Sequence, residues 1–332
     1  MEPTRAIHLA PVGGSGPRAQ CLAMQVLVTG AFGNIGSSVV AQLRLQGHEV
    51  RQLDVPSKAN LRRARGATNV FWADIRDADA VQRAVRDQDV VVHLAGLIPP
   101  QVAEAPEVAR AVNVGGTQNI LDAVVRHDSR ILFASTLDVY GHTQHLVPPR
   151  RVTDPVSETD EYSGHKIRCE QLVRESPRPW AIYRFGDVPP AEARRPHPVM
   201  FAIPLDNRIE LVHRDDAGLA VANGINAAIW GHTWLIGGGP SCQVRYRDML
   251  GRALDAFGLG ALPDSAFSTE PYCTDWLDTE ESQRVLQFQR HSFEEIMAYV
   301  VEASRPPLAA RLVLPLVRGM ARRQILKLSP HF

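Results

Sequence analysis

QVLVTGAFGNIG, residues 25–36, is the stretch from which the fold can be read. Val26 to Thr29 is a short apolar and β-branched run, the composition of a strand covered on both faces. Gly30, Gly33 and Gly36 follow at G-x-x-G-x-x-G spacing, and an apolar helical period runs from Ile35 to Leu45. Strand, glycine turn and helix are the first half of a dinucleotide-binding βαβ unit. The glycines have separate jobs: a tight turn, close approach of the backbone to a pyrophosphate, and close packing of helix on strand. The helix N-terminus adds free N–H groups and the positive end of a dipole. Taken alone, the triplet fits a flexible turn with no ligand equally well.

Downstream of Met24, strand and helix signals alternate. Strands are expected at Glu49 to Leu53, Val70 to Trp72, Asp89 to Gly96, Arg130 to Ala134 and Trp180 to Arg184. A helix capped near Asp77, a long one from Glu104 to His127 and one from Tyr162 to Arg174 lie between them. This alternation predicts an α/β, Rossmann-type doubly wound parallel sheet. After Arg184 the rhythm breaks: Pro189, Pro190, Pro196, Pro198 and Pro204 make Val188 to Leu205 largely irregular. A strand at Ile209 to Val212, a helix at Asp215 to Ala228, a strand at His232 to Ile236 and helices at Arg245 to Phe257 and Ser292 to Ala303 complete the chain.

The expected division is a disordered extension over residues 1–23, or a true start at Met24. A nucleotide-binding domain covers 24–184 plus about 207–240, and a smaller C-terminal α/β substrate-binding region about 185–206 plus 241–303. A basic tail covers 304–332. Lys plus Arg equal Asp plus Glu at 36 each, which argues against bulk attraction to nucleic acid. Cys21, Cys169, Cys242 and Cys273 lie far apart without C-x-x-C spacing, so they read as reduced thiols of a cytoplasmic protein; no metal site is expected. No apolar run approaches the roughly 18 residues of a membrane span.

Asp54 ends the second strand, eighteen residues after Gly36. A carboxylate there can accept the ribose hydroxyls of an adenosine and would repel a 2′-phosphate, which favours NAD over NADP. Asp74, after the third strand, can meet an adenine amino group or cap a helix. The HLAG segment places small residues at the end of the fourth strand, where a cofactor passes; His93, inside the apolar run, reads as structural. Tyr162 and Lys166 stand four apart, one turn apart on one helix face. An ammonium and a nicotinamide cation near the phenol would lower its pKa, making Tyr162 an acid/base and Lys166 a ribose ligand. Ser135 and Thr136, in FASTLDVYG, offer hydroxyls at the end of the fifth strand.

In this order, TGAFGNIG, Asp54, ADIRD, HLAG, NVGGT, FASTLDVYG, YSGHK, Arg184 and HRDDAGLA resemble the extended short-chain dehydrogenase/reductases of the NAD-dependent epimerase/dehydratase family, over about Met24 to Ala303. The resemblance implies that Gly30, Gly33 and Gly36, with the Asn34 and Ile35 backbone, hold the pyrophosphate. It places Asp54 on the adenosine ribose, Asp74 and Ile75 at the adenine end, and Leu94, Ala95 and Gly96 along the cofactor. Thr136, four before Tyr140, is the triad hydroxyl beside Tyr162 and Lys166, and Asp216 is a structural acid. The resemblance also implies a homodimer through a four-helix interface. Two departures stand out. Asp187 occupies a position where nucleotide-sugar members often carry Asn, with no Gly-Pro after it, and the segment Phe185 to Val212 is short, about 28 residues. Asp138 follows Thr136 by two and faces away if the chain stays extended, which leaves Thr136 without an acidic partner.

The expected function is an NAD-dependent oxidoreductase or epimerase acting on a secondary alcohol or ketone, a sugar nucleotide or related sugar, with Tyr162 as acid/base. A hydroxysteroid or other hydrophobic alcohol is the alternative substrate. A non-catalytic NAD-binding sensor is the alternative class. The basic-apolar tail reads as an appendage on the subunit surface, with a peripheral membrane contact as its second reading.

Overall fold

The structure, a computed structural model, describes residues 23–190, 196–303 and 318–332. In chain order the strands are β1 (Gln25–Thr29), β2 (Glu49–Asp54), β3 (Val70–Trp72), β4 (Val90–His93), β5 (Arg130–Thr136), β6 (Trp180–Phe185), β7 (Arg208–Glu210), β8 (His232–Ile236) and β9 (Gln243–Arg245). The helices are α1 (Asn34–Leu45), α2 (Lys58–Arg63), α3 (Ala78–Val85), α4 (Gln101–Glu104), α5 (Pro106–Arg110), α6 (Gly116–Arg126), α7 (Glu161–Glu175), α8 (Arg214–Gly224), α9 (Tyr246–Ala256), α10 (Glu280–Leu286) and α11 (Phe293–Ala303).

Seven strands form one parallel sheet in the order β3-β2-β1-β4-β5-β6-β8. The doubly wound sheet expected from the alternation is therefore present. Strand order reverses between β1 and β4, and the crevice beyond their carboxyl ends is where ligands of such sheets bind. Side chains alternate along β1: Val26 and Val28 enter a core with α1 and α8, and Leu27 enters one with α3, α6 and α7. Both faces are thus covered, which is why the strands read as continuous apolar runs.

Several boundaries differ from the sequence reading for physical reasons. The long helix expected at Glu104 to His127 starts at Pro106, after Ala105 takes a non-helical conformation, and runs to Arg126 with one π-helical turn at Ala111–Gly115 between α5 and α6. The strand expected at Ile209 to Val212 forms one residue earlier and pairs antiparallel with β9, outside the main sheet. The helices α2 and α10, short and without a strong apolar period, were not expected. In the C-terminal stretch, residues 318–326 are helical, and Ile325 and Leu326 are buried with Phe201, Tyr246 and Leu250. The first 22 residues and 304–317, about half of the expected tail, lie outside the described residues. Among the described residues no helix is long and apolar enough to cross a membrane, and Cys169, Cys242 and Cys273 are buried free thiols.

Candidate active site

The glycine turn is as tight as its spacing requires. Gly30 has φ +66°, and a Cβ there would lie 2.9 Å from the Ala95 nitrogen. A Cβ on Gly36, in the first turn of α1, would lie 2.1 Å from the Gly30 oxygen. Only hydrogen fits at either position, so the backbone of the turn stays open to a ligand at the helix N-terminus. Asp54 Oδ2 accepts a 2.9 Å bond from the Phe32 N–H, and its Oδ1 accepts from Asn60 Nδ2, also at 2.9 Å. Burial raises the Asp54 pKa, while the backbone bonds from Phe32 and Val55 and the charge of Arg63 oppose the rise. The carboxylate is thus fixed at the mouth of the turn.

Other expected cofactor residues sit differently from one another. Asp74 is held by Arg76, whose guanidinium reaches it at 2.6 Å, and this contact keeps its carboxyl below the usual range. Asp77, not Asp74, caps α3. The Ile75 side chain is buried, where a Cβ on Gly116 of α6 would collide with it. The Leu94 and Ala95 N–H groups donate to Thr29 Oγ1 at 3.2 and 3.1 Å. Asn113, in the π turn, clamps Leu97 just after this segment: its Oδ1 accepts from the Leu97 N–H and its Nδ2 donates to the Leu97 oxygen. The LAG segment is therefore pinned at both ends.

His93 is structural, as expected. Thr117 Oγ1 donates to the Asn113 oxygen, so it must accept from His93 Nε2, 3.0 Å away. Nδ1 then accepts from Thr29 Oγ1 at 2.8 Å. The bonding needs the neutral Nε2–H ring. Burial and then Lys166 push its pKa down to about 3.

The three proposed catalytic side chains meet at the carboxyl end of β5. Thr136, Tyr162 and Lys166 are all half-buried. Tyr162 and Lys166 project from one face of α7, whose start is fixed by an Asp160–Ser163 capping box. Lys166 Nζ donates to the Ala134 oxygen at 2.7 Å and lies 5.9 Å from the Tyr162 ring centroid. Burial, then Asp138 and Asp160, push the Tyr162 pKa up, and a hydrogen bond with Thr136 opposes them. The net shift is thus upward, opposite to the lowering expected, because burial and the two acids prevail.

Asp138 corrects the sequence reading. The chain does not stay extended: β5 ends at Thr136, and Leu137–Tyr140 turns as a 3-10 helix. Thr136 Oγ1 accepts from the Asp138 N–H at 3.2 Å, and the Asp138 carboxyl stands near enough to feel Thr136 and Lys166. Burial, with Asp160 and Asp187 nearby, pushes its pKa up to about 7, against the pull of Thr136 and Lys166.

Ser135 has a different role from its neighbour. Its Oγ donates to Glu170 Oε1 at 2.6 Å. Glu170 lies one turn beyond Lys166 on the same face of α7 and pairs with Arg184 of β6 at 2.9 and 2.7 Å. Burial works against its charge, yet Arg184, Ser135 and Arg174 hold its carboxyl below the usual range. Glu170 escaped sequence reading because one acid on a long helix carries no signal until its partners are placed.

Residues 26–182 match the model of the NAD dependent epimerase/dehydratase family. They form a domain of that family. A dTDP-glucose 4,6-dehydratase of Mycolicibacterium smegmatis is 34% identical over 167 residues, 48% of this chain and 50% of that protein. A 3 beta-hydroxysteroid dehydrogenase type 7 of Rattus norvegicus is 34% identical over 169 residues, again 48% and 50%. The matched stretch spans about half the length of these curated relatives. Among solved structures, a DesIV double mutant from Streptomyces venezuelae, a dTDP-glucose 4,6-dehydratase with NAD bound, superposes with TM-score 0.72 at 25% identity, over 88% of this chain and 100% of that one.

The epimerase/dehydratase domain accounts for the cofactor class. NAD is the cofactor of the family, and the open glycine turn with Asp54 at its mouth fits a dinucleotide. The family match ends at residue 182, two residues before Arg184. Beyond it, Asp216 is buried and accepts from His291 Nδ1 at 2.7 Å and from the Arg290 and His291 N–H groups, which ties α8 to the segment before α11. This is the structural role expected of it.

Proposed function

We propose that the chain is an NAD-dependent oxidoreductase or epimerase acting on a secondary alcohol or ketone, with a sugar nucleotide or related sugar as substrate. One observation carries the reading: Thr136, Tyr162 and Lys166 converge on one half-buried cleft at the carboxyl edge of the sheet. Bound NAD supplies the acceptor or donor of a hydride. The side chains handle the proton and the orientation. Thr136 Oγ1 holds the substrate oxygen, and Tyr162 takes the hydroxyl proton on oxidation and returns it on reduction. Lys166 would hold the nicotinamide ribose and place its charge near the phenol. That charge must offset the burial and the two acids that keep Tyr162 protonated. Asp138, ionising at about 7 beside Thr136, is a second group able to exchange a proton near neutral pH.

Asp187 favours a second substrate class. Its charge is felt at Asp138, so it stands close enough to disfavour a diphosphate. A hydroxysteroid or other hydrophobic alcohol carries no such charge, and the similarity to a hydroxysteroid dehydrogenase points the same way. NADH fluorescence, followed while the NAD-loaded protein meets UDP-sugars, dTDP-sugars and hydroxysteroids in turn, separates the two. Reduction with a sugar nucleotide supports the first reading, and reduction with steroids alone supports the second. Epimerisation returns the hydride and leaves no net NADH, so chromatography of the products accompanies the fluorescence; conversion without NADH counts as reduction does, and neither NADH nor product from any of them overturns the proposed activity.

The same reading assigns nucleotide binding to residues 24–184 plus about 207–240 and substrate binding to about 185–206 plus 241–303. It expects a homodimer formed through α6 and α7, in a cytoplasmic setting that suits buried free thiols.

A further inference from the structure

The residue that opens α1 reaches across to the substrate side of the molecule. Asn34 belongs to the glycine turn, and its backbone lies where a pyrophosphate is expected. Its side chain is turned elsewhere: Nδ2 donates to the Val188 oxygen at 3.2 Å and to the Pro189 oxygen at 3.1 Å. These carbonyls belong to the stretch that leaves β6. Before them the chain is fastened to the sheets, because the Gly186 N–H donates to the Ile236 oxygen and the Asp187 N–H to the Glu210 oxygen, each at 2.9 Å. The Val212 N–H donates back to the Asp187 oxygen, and Val188 packs against the core formed by α1 and α8. Pro189 and Pro190 have no N–H to offer a ladder. Asn34 thus holds Val188 and Pro189 through both of their carbonyls.

We infer that Asn34 is a positioning residue that couples occupancy of the nucleotide turn to the placement of residues 186–190 beside the catalytic cleft. The inference rests on the function proposed above for the meaning of that segment as substrate-facing. A ligand that orders the N-terminus of α1 fixes the Asn34 Cα. Two amide–carbonyl bonds then carry that order to the segment, 154 and 155 residues away in sequence. Asn is suited to this job because its short planar amide presents two N–H groups that can serve two neighbouring carbonyls. A carboxylate of the same shape has no N–H and would repel both oxygens.

Hydrogen–deuterium exchange on full-length protein tests the coupling, with and without saturating NAD, alongside NAD affinity by titration calorimetry. In the wild type, NAD is expected to slow exchange of the Gly186, Asp187 and Val188 amides. In Asn34→Ala these amides exchange about tenfold faster, as expected for loss of two bonds of modest net strength. NAD is brought to saturation by the variant's own titrated affinity, and it no longer slows exchange there. Asn34→Gln, which keeps the amide donor, restores part of the NAD effect. The inference is overturned if NAD protects the segment equally in wild type and Asn34→Ala. It is also overturned if Asn34→Ala stays folded by circular dichroism yet loses NAD binding, which would make the side chain a cofactor ligand. NAD binding by the wild type without protection of the segment sinks the coupling alone. No NAD binding by the wild type sinks the coupling and the proposed function together.

Discussion

Ser135 Oγ lies 2.6 Å from Glu170 Oε1, so adjacent residues of one strand serve opposite ends of the site. Thr136 faces the cleft, and Ser135 binds the acid that fastens α7 to β6. Tyr162, Lys166 and Glu170 share a helix face, and Glu170 with Arg184 sets how α7 presents the other two. Glu170→Ala leaves the Arg184 guanidinium buried without its carboxylate. The expected loss is about 3–5 kcal/mol of unfolding free energy, measured by urea denaturation. A loss within experimental error would mean that α7 is held by packing alone.

Gly36→Ala is expected to lower NAD affinity at least tenfold, about 1.4 kcal/mol, because the new methyl would sit 2.1 Å from the Gly30 oxygen and must push the turn open. Calorimetric titration measures this directly. Unchanged affinity would show that the turn does not contact the cofactor.

His93 makes stability depend on acid. Its folded pKa is pushed down to about 3 from 6.5, so the unfolded chain binds its proton first. The contribution is complete above about pH 6.5 and is lost as pH falls toward 3, at about 1.4 kcal/mol per pH unit for one proton. His93→Gln should flatten this part of the stability curve in denaturant titrations at stepped pH. An equal slope in wild type and variant would remove His93 from the acid response.

Asp138 works in the opposite sense. Its folded pKa, raised to about 7 from 3.8, means that ionising it costs stability as pH rises from about 4 through 7. Asp138→Asn should therefore be more stable than wild type at pH 8 and converge with it near pH 4. If Asp138 also exchanges a proton in turnover, the variant's activity profile loses an inflection near pH 7. A variant less stable than wild type at pH 8 would contradict the burial that raises this pKa.

The parts of the fold set by local chemistry were legible. The glycine turn, the apolar strands and the Tyr162–Lys166 spacing each follow from a few neighbouring residues, and each appears in the structure. What escaped depended on residues brought together by folding. Asp138 could not be placed until the end of β5 was known, since one turn of 3-10 helix reverses its direction. Glu170 and the Thr29–His93–Thr117 chain join elements 14 to 64 residues apart. The π turn around Asn113 reads as continuous apolar periodicity, and its clamp on Leu97 is visible only once the two segments are placed. Beyond Arg184, prolines and short elements leave little periodicity to read.

Tyr162→Phe is the measurement closest to the central claim, that this site moves a proton with a hydride. It is made on whichever substrate the NAD-loaded wild-type protein converts. The hydroxyl is removed while the ring and its packing stay. The expected result is NAD affinity within about threefold of wild type, about 0.7 kcal/mol, with turnover reduced roughly a hundred- to ten-thousandfold. Full turnover in Tyr162→Phe, with NAD still bound, would contradict the account and leave an NAD-binding protein whose proton chemistry lies elsewhere.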